Sequence, residues 1–207
     1  MSSTILEIDH LGFAYPGEPP LLRGWTYAIA PGLTQLHGDT GSGKSTVLRL
    51  LAGDLAGSGQ LTLAGLSLER DAYRRQVFYV DPTTRAYDQT SGRACTDQLS
   101  QDDPGFDAAR WQALVDSFNL AEHIDKPMYM LSTGSKRKVW LAAALASGRR
   151  LVLLDEPTGG LDGPSVRALW SALGDLAEST TRAVVVASSE LVTRAPLAAT
   201  VQLPLPA

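Results

Sequence analysis

One octapeptide restricts the possible folds of this chain more than any other segment. "GDTGSGKS", Gly38 to Ser45, fits the pattern G-x-x-x-x-G-K-[ST] and stands between a strand-like segment, "GLTQLHG", and a segment with helical apolar spacing, "KSTVLRLLAG". Glycines let successive backbone N–H groups point at one anion, and the following helix adds its positive N-terminal end. A plain glycine-rich turn with an exposed lysine would match fewer of these positions. The segment therefore predicts a phosphate-binding loop.

The positions of this loop predict separate roles around a nucleotide. Lys44 is expected to reach the β- and γ-phosphates and to assist catalysis, and the Ser45 hydroxyl is expected to bind Mg²⁺. Thr46 is a close neighbour of the metal rather than its ligand. The residues predicted to contact ATP here are Gly38, Asp39, Thr40, Gly41, Ser42, Gly43, Lys44, Ser45 and Thr46.

Apolar patterning outside the loop indicates an α/β fold. The first third of the chain reads as short strands separated by turn residues, and the segment from Asp88 to about Arg150 has helical periodicity. In the last third, the continuous runs "LVLL" and "AVVVA" alternate with helical segments. Such runs are typical of parallel strands that helices cover on both faces. We therefore expect a mainly parallel sheet and a helical subdomain.

Composition narrows the choice of partners and surroundings. With 207 residues, 44% of them hydrophobic, the chain can bury one substantial core. A net charge of −4 gives no general attraction to nucleic acid or anionic lipid, and only "SKRK", Ser135 to Lys138, is a basic patch. No apolar run approaches the roughly 20 residues that span a bilayer. The single cysteine, Cys95, excludes an internal disulfide and agrees with a reducing compartment.

An acidic pair follows the strand-like run "LVLL". Asp155 and Glu156 open the segment "DEPTGGLD", at the end of a predicted strand, where open α/β sheets bind their ligands. By themselves these two carboxylates are equally consistent with the start of a solvated turn. Together with the phosphate loop they predict a site for a metal ion and an attacking water.

A third segment, "LSTGSKRKVWLAAALA" from Leu131 to Ala146, would alone be an ordinary capped amphipathic helix. Phosphate loop, third segment and acidic strand together resemble, in order and spacing, the nucleotide-binding subunit of an ATP-binding cassette (ABC) transporter. In that family a Leu-Ser-Gly-Gly-Gln signature opens a helix just ahead of the acidic strand. The resemblance implies an α/β fold with a P-loop NTPase core and a mostly parallel sheet. It also implies an N-terminal antiparallel β subdomain and an inserted helical subdomain at about 88–150, within one ATP-binding domain of residues 1–207.

The resemblance also implies roles for individual residues. Asp155 would bind Mg²⁺, usually through water, and Glu156 would polarise the attacking water. Ser132 and Gly134 would contact the γ-phosphate of an ATP held by the other subunit. Tyr15 would stack on adenine, the alternative being a surface tyrosine on an edge strand.

Four departures from the family pattern are visible. Thr133 and Ser135 replace a glycine and the glutamine of the signature, and "GGLD" keeps Asp162 of the cross-dimer loop but has glycines where serine and alanine are usual. The family has a glutamine that senses Mg²⁺ after a strand beyond the phosphate loop, but no glutamine directly follows "QVFYV" here. Asp81 is the predicted substitute for it as a metal-binding residue. Ser189 occupies the position of the family's histidine and is the candidate γ-phosphate contact. The three histidines, His10, His37 and His123, are predicted to be structural.

The expected function is therefore that of a cytoplasmic ATPase subunit, bound peripherally at the inner membrane face through a partner. It would use ATP and Mg²⁺, form a homodimer or pair with a second cassette subunit, and drive an integral membrane permease, without binding nucleic acid or inserting into the membrane. A serine hydroxyl cannot take up a proton near neutral pH, so hydrolysis is expected to be slow. The alternative is a nucleotide-dependent switch or assembly protein on the same fold, with slow or absent hydrolysis.

Overall fold

A computed structural model describes residues 4–65 and 70–205, apart from the side chain of Arg70. The ends of the predicted 1–207 domain and residues 66–69 lie outside this description. Within it the strands are β1 (Leu6–Phe13), β2 (Leu22–Ile29), β3 (Gly32–His37), β4 (Ser58–Leu63), β5 (Val77–Tyr79), β6 (Leu151–Asp155), β7 (Ala183–Ser188) and β8 (Ala199–Gln202). The helices are α1 (Lys44–Leu51), α2 (Arg70–Arg75), α3 (Gly92–Ser100), α4 (Ala108–Ser117), α5 (Thr133–Ala146) and α6 (Gly163–Ala177), with a short 3-10 helix at Met128–Met130.

The smaller sheet is antiparallel and has the order β2-β1-β4. Leu6 and Ile8 of β1 point into the core, while Glu7 and Asp9 are exposed, which is the alternation expected of a sheet with one solvated face. A register shift between Ile8 and Leu11 breaks this period, and Leu11 is buried again beyond it. The predicted N-terminal antiparallel sheet is thus confirmed.

The larger sheet is parallel and has the order β5-β6-β7-β3-β8. Because its strands run in one direction, their carboxyl ends meet at the same edge. The phosphate loop follows β3 there, Asp81 follows β5, the acidic pair lies at the end of β6, and Ser189 follows β7. The fold therefore gathers the dispersed sequence motifs along one edge.

Helices cover both faces of the larger sheet. On β3, Leu36 packs in a cluster with Val47 and Leu48 of α1, whereas Leu33 packs on the opposite face in a cluster with Val139 of α5 and Leu169 of α6. Successive side chains of a strand point to opposite faces, so β3 serves both clusters. This arrangement confirms the parallel, doubly covered sheet expected from the apolar runs.

Helices α3 to α5 come between β5 and β6 in the chain, as the helical periodicity predicts. Helix α5 has two distinct halves, since every residue from Val139 to Ala146 is buried while its first turn, which carries the signature, is not. Cys95 of α3 is fully buried, and this burial raises the pKa of its thiol to about 12. Within the described ranges, every helix is too short or too polar to cross a lipid bilayer.

Helix α2 is a difference from the sequence prediction, which placed no helix there. It is only six residues long, "RDAYRR", and is mostly charged. Such a segment has no repeating apolar position for a periodicity argument. Tyr73 anchors it, because its buried hydroxyl donates a hydrogen bond to the Leu51 carbonyl oxygen at 2.6 Å.

Candidate nucleotide site

The phosphate loop takes its shape from glycine. Gly43 precedes α1 with φ of +95°, in the left-handed region that residues with side chains seldom adopt, and a Cβ atom there would lie 2.5 Å from Leu21 Cδ1. Because Gly43 carries no side chain, it cannot cap the helix with a polar atom. The N–H groups at the start of α1 are therefore left for an anion, which is the geometry that phosphate binding requires.

Lys44 lies inside this loop. Its side chain is only 6% exposed, and Nζ donates to the carbonyl oxygens of Gly38 at 2.7 Å and Asp39 at 3.0 Å. The ammonium is also 3.3 Å from Glu156 Oε1. A buried cation is stable only when it is paired and hydrogen-bonded, so these contacts fix the ammonium at the mouth of the loop.

Ser45 and Asp155 form the part of the site suited to a metal. The Ser45 hydroxyl lies close enough to the Asp155 carboxylate to lower its pKa, and Asp155 Oδ1 is buried and has no hydrogen-bond partner among the described residues. Burial raises the pKa of Asp155, and the Glu156 charge adds to this, whereas the Ser45 hydroxyl and Lys44 oppose it. A hydroxyl and an unpaired carboxylate oxygen are ligands that Mg²⁺ prefers, so the residues present fit this ion.

Asp81 lies at the same edge of the sheet, but its carboxylate is engaged locally. Asp81 Oδ1 accepts hydrogen bonds from Thr83 N at 2.8 Å and Thr83 Oγ1 at 2.6 Å. Partial burial on its own raises the pKa of Asp81, but these bonds and the Arg49 charge together lower it. Its charge is near enough to contribute to the raised pKa of Asp155. Its role as a metal-binding residue stays a prediction.

Glu156 connects the phosphate loop with the segment after β7. Its Oε1 accepts a hydrogen bond from the backbone amide of Ser189 at 3.0 Å and lies beside the Lys44 ammonium. Ser189 therefore contacts the acidic residue through its main chain. Both residues line an open cleft of about 400 Å³, within the size range of small-molecule sites. The other residues lining this cleft are Thr40, Gly41, Gly43, Lys44, Ser45 and Thr46.

Tyr15 stands beside this cleft. Its hydroxyl is 3.0 Å from Thr46 Oγ1, and its ring packs edge-on against Phe13 with centroids 4.9 Å apart. The side chain is 41% exposed, and it follows β1, which is the central strand of its sheet and not an edge strand. An exposed aromatic ring next to a phosphate loop is compatible with the predicted stacking on adenine, which remains a prediction.

The signature residues do not line this cleft. Ser132 is exposed and caps α5, since its Oγ accepts a hydrogen bond from Ser135 N at 3.1 Å. Gly134 packs so closely on Gly160 that a Cβ atom on Gly134 would overlap the Gly160 carbonyl oxygen. The structure thus brings the start of α5 against the "GGLD" segment and presents Ser132 outward.

The cations of the basic patch, Ser135 to Lys138, are paired with other groups of the protein. Lys136 forms an ion pair with Asp88, and Lys138 forms one with Asp162. The hydrogen bond from Lys138 lowers the pKa of Asp162, whose other oxygen caps α6. Arg137 hydrogen-bonds to the main-chain carbonyl oxygens of Glu156 and Gly159, in the acidic turn that follows β6. All three cations therefore have internal partners.

Sequence reasoning missed the residue that supports the segment after β7. Gln35 on β3 is fully buried, and its Nε2 donates to the Glu190 carbonyl oxygen at 2.7 Å while its Oε1 accepts from Val192 N at 3.1 Å. His37 Nδ1 lies 3.3 Å from the Ser188 carbonyl oxygen, in agreement with its predicted structural role. The available signal was a glutamine in the middle of "GLTQLH", the strand that leads into the phosphate loop.

Comparison with known proteins identifies the family of the chain. The sequence model of the ABC transporter family matches residues 23–159. The chain is 35% identical over 193 residues to the zinc import ATP-binding protein ZnuC of Halorhodospira halophila, covering 90% of this chain and 68% of that protein. It is 30% identical over 203 residues to the lipoprotein-releasing system ATP-binding protein LolD of Maricaulis maris, covering 91% of this chain and 89% of that protein.

Solved structures agree at the level of the fold. A putative ABC transporter ATP-binding protein from Pyrococcus furiosus superposes with a TM-score of 0.77 over 96% of both chains, at 20% sequence identity. The family match covers the phosphate loop and acidic strand, which the structure brings to one sheet edge, and the signature at the start of α5. With these motifs and these relatives, the chain belongs to the ABC transporter family, as one of its ATP-binding proteins.

Proposed function

We propose that this protein hydrolyses ATP in the cleft after β3 and drives an integral membrane permease through ATP-dependent closure of a dimer. The observation that carries the proposal is the convergence of the Lys44 ammonium, the Glu156 carboxylate and the Ser189 amide in one cleft. These groups are brought together by three different strands of the parallel sheet. They supply a phosphate-binding cation, a base and a hydrogen-bond donor, which are the parts that hydrolysis of a phosphoanhydride needs.

Each group has a defined task in this proposal. The loop amides and Lys44 hold the β- and γ-phosphates, and Glu156 orients a water and accepts its proton as it attacks the γ-phosphorus. Ser45 and Asp155 would hold Mg²⁺, which when bound neutralises charge on the phosphate oxygens. The Ser189 backbone amide holds the Glu156 carboxylate in the cleft. The side-chain hydroxyl of Ser189 would donate one hydrogen bond to the γ-phosphate.

The position of the signature supports a dimer. Ser132 and the exposed first turn of α5 form a helix N-terminus that suits an anion, yet they lie outside the chain's own cleft. A second cassette, identical or paired, would supply the ATP that this surface contacts. The internal pairing of the basic patch agrees with a protein partner rather than nucleic acid. We place the assembly at the cytoplasmic face of a membrane, through the permease.

The relatives support a transport role without specifying a cargo. One is named for zinc import and another for lipoprotein release, so neither cargo nor direction is proposed for this chain. Both are named as ATP-binding proteins of transport systems, which favours transport over the switch or assembly alternative.

Glu156→Gln is the variant that tests this proposal. With ATP and Mg²⁺ it should accumulate a nucleotide-bound dimer, seen by light scattering, while phosphate release falls by about 100- to 10,000-fold because the base is lost and phosphate binding is kept. Glu122→Gln, at an exposed position outside the cleft, should behave as the wild type. Normal turnover in Glu156→Gln would remove Glu156 from catalysis. A wild type no faster than Glu156→Gln would favour the switch alternative.

A further inference from the structure

Arg137 of the signature helix α5 contacts the main chain of the turn that carries Glu156. It lies in the second turn of α5, and its NH1 group donates to the main-chain carbonyl oxygens of Glu156, at 3.0 Å, and of Gly159. Of the two neighbouring cations, Lys136 pairs with Asp88, and Lys138 pairs with Asp162 at the far end of the "DEPTGGLD" segment. Of these three side chains, only Arg137 bonds the main chain of Glu156, the proposed base.

The backbone of Glu156 needs such support. Its φ is +41°, in the left-handed region that residues with side chains rarely adopt. The Glu156 amide donates to the Ala187 carbonyl oxygen at 2.9 Å, and its own carbonyl oxygen accepts from Arg137. Hydrogen bonds on both sides of the residue hold this conformation. The conformation in turn directs the carboxylate towards Lys44 and the Ser189 amide.

Gly159 leaves room for the Arg137 guanidinium. A Cβ atom at Gly159 would overlap Arg137 NH1, whereas its φ does not lie in the left-handed region, unlike that of the following Gly160. The guanidinium, and not the backbone conformation, is therefore what excludes a side chain at position 159. Arg137 and Gly159 form a matched pair, which gives a physical reason for one glycine of "GGLD".

We propose that Arg137 is a positioning residue for Glu156, acting through the main chain of the acidic turn and requiring glycine at position 159. The proposal rests on the proposed function, in which Glu156 is the base. Because Arg137 contacts no phosphate-loop residue in the hydrogen bonds above and meets the cleft lining only at the Glu156 main chain, its loss should slow turnover without weakening ATP binding. Arg137 would thereby link the start of α5, where Ser132 lies, to Glu156 by hydrogen bonds.

The first experiment compares Arg137→Met, Arg137→Lys and the control Lys136→Met by steady-state phosphate release. Arg137→Met should lower kcat by about 10-fold, with KM for Mg²⁺-ATP within about twofold of wild type, since a slightly displaced base mainly affects the chemical step. Arg137→Lys should recover part of the loss, because an ammonium can bond one carbonyl oxygen but has no planar fork. Lys136→Met, which loses a cation from the same helix, should leave kcat within about twofold of wild type.

The second experiment tests the pairing and the route of action. Gly159→Ala should lower kcat in the wild type but have a smaller further effect in the Arg137→Met background, where the overlap with the guanidinium is gone and only the 3.3 Å approach to the Glu156 carbonyl oxygen remains. Arg137→Met should likewise add nothing to Glu156→Gln, because the group it positions is already lost. Full additivity in either pair would overturn the proposal, as would wild-type kcat in Arg137→Met.

Hydrogen exchange separates this proposal from the proposed function. In Arg137→Met the amides of residues 156–160 should exchange faster, whereas in Lys136→Met they should not, whether or not the protein hydrolyses ATP. Unchanged exchange at 156–160 would refute the role of Arg137 even in an active enzyme. A wild type without ATPase activity but with the predicted exchange pattern would instead refute only the catalytic proposal.

Discussion

The turn after β3 and the segment after β7 meet at Glu156, but they reach it by different means. The phosphate loop contributes the side chain of Lys44, whose ammonium lies 3.3 Å from Glu156 Oε1. The segment after β7 contributes the backbone amide of Ser189, at 3.0 Å from the same oxygen. Any residue except proline can supply that amide. A departure from the family pattern is thus tolerable at position 189 and not at position 44.

Support for these two segments differs in the same way. The conformation of the loop before α1 depends on glycine, as the left-handed Gly43 shows. The segment after β7 is held by a side chain from a neighbouring strand, since Gln35 bonds the main chain of Glu190 and Val192. The conformation of the phosphate loop thus depends on its own glycine, whereas that of the segment after β7 depends on Gln35 of the neighbouring strand. Substitutions in each segment should therefore have unequal consequences.

Lys44→Ala should produce the largest effect. It removes the one side-chain cation assigned to the β- and γ-phosphates, so phosphate release should fall by about 100- to 1000-fold and nucleotide affinity should weaken. Equilibrium binding of a fluorescent ATP analogue and steady-state turnover would measure both. Lys126→Ala, at an exposed lysine, is the matched control. Unchanged affinity and turnover in Lys44→Ala would contradict the assignment of the phosphate loop.

Asp155→Asn should lower Mg²⁺-dependent turnover by about 10- to 100-fold and yet raise the melting temperature by about 2 to 4 °C near neutral pH. Burial raises the pKa of Asp155, so its charged form destabilises the folded state above that pKa. The penalty shrinks as the pH falls through the raised value towards the ordinary one, and below that it is absent. Melting curves at neutral and acidic pH would measure this. A gain that persists at low pH would contradict the explanation.

Ser189→His should raise turnover by up to about 10-fold, because imidazole reaches further than a hydroxyl and can exchange a proton near neutral pH. Ser189→Ala should stay within about threefold of wild type, since the backbone amide that contacts Glu156 is retained. Phosphate release from the three proteins under identical conditions would rank them. A fast wild type that Ser189→His slows would show that another residue performs this role.

Asp81→Asn should have the smallest effect. Oδ1 of the carboxylate already accepts two hydrogen bonds from Thr83, so only the other oxygen is left for a metal. The Mg²⁺ concentration giving half-maximal turnover should rise by less than about threefold. An increase well above this, with unchanged melting temperature, would instead identify Asp81 as a metal ligand in place of the family's glutamine.

Local patterns predicted most of the fold and much of the site. The phosphate loop, the strand "LVLL" and helix α6 each carry their own signals of composition and periodicity, and the structure has all three where the sequence places them. Ser132 as the cap of α5 could also be anticipated, because capping involves residues three apart in sequence. Helix α2 could not, since its few residues are held by long-range contacts, from Tyr73 to Leu51 and from Arg74 to Asp54.

Contacts between distant segments escaped the sequence reasoning. Arg137 and Glu156 are 19 residues apart, and Gln35 and Glu190 are 155 apart, so no local period links them. The main-chain contact of Ser189 could not be predicted either, because every residue except proline has a backbone N–H and the sequence does not mark which one bonds Glu156. At the position where the family's histidine is missing, the structure has a main-chain hydrogen bond from Ser189 to Glu156.

The burial of Cys95 has a consequence for chemical labelling. The thiolate is the reactive form, and a thiol with a pKa near 12 and no exposed surface reacts very slowly with alkylating reagents. With one cysteine in the whole chain, a second one introduced at exposed Ser132 would be the selectively modified site. Its protection from a maleimide on addition of ATP would then time the approach of a second cassette, without first replacing the native thiol.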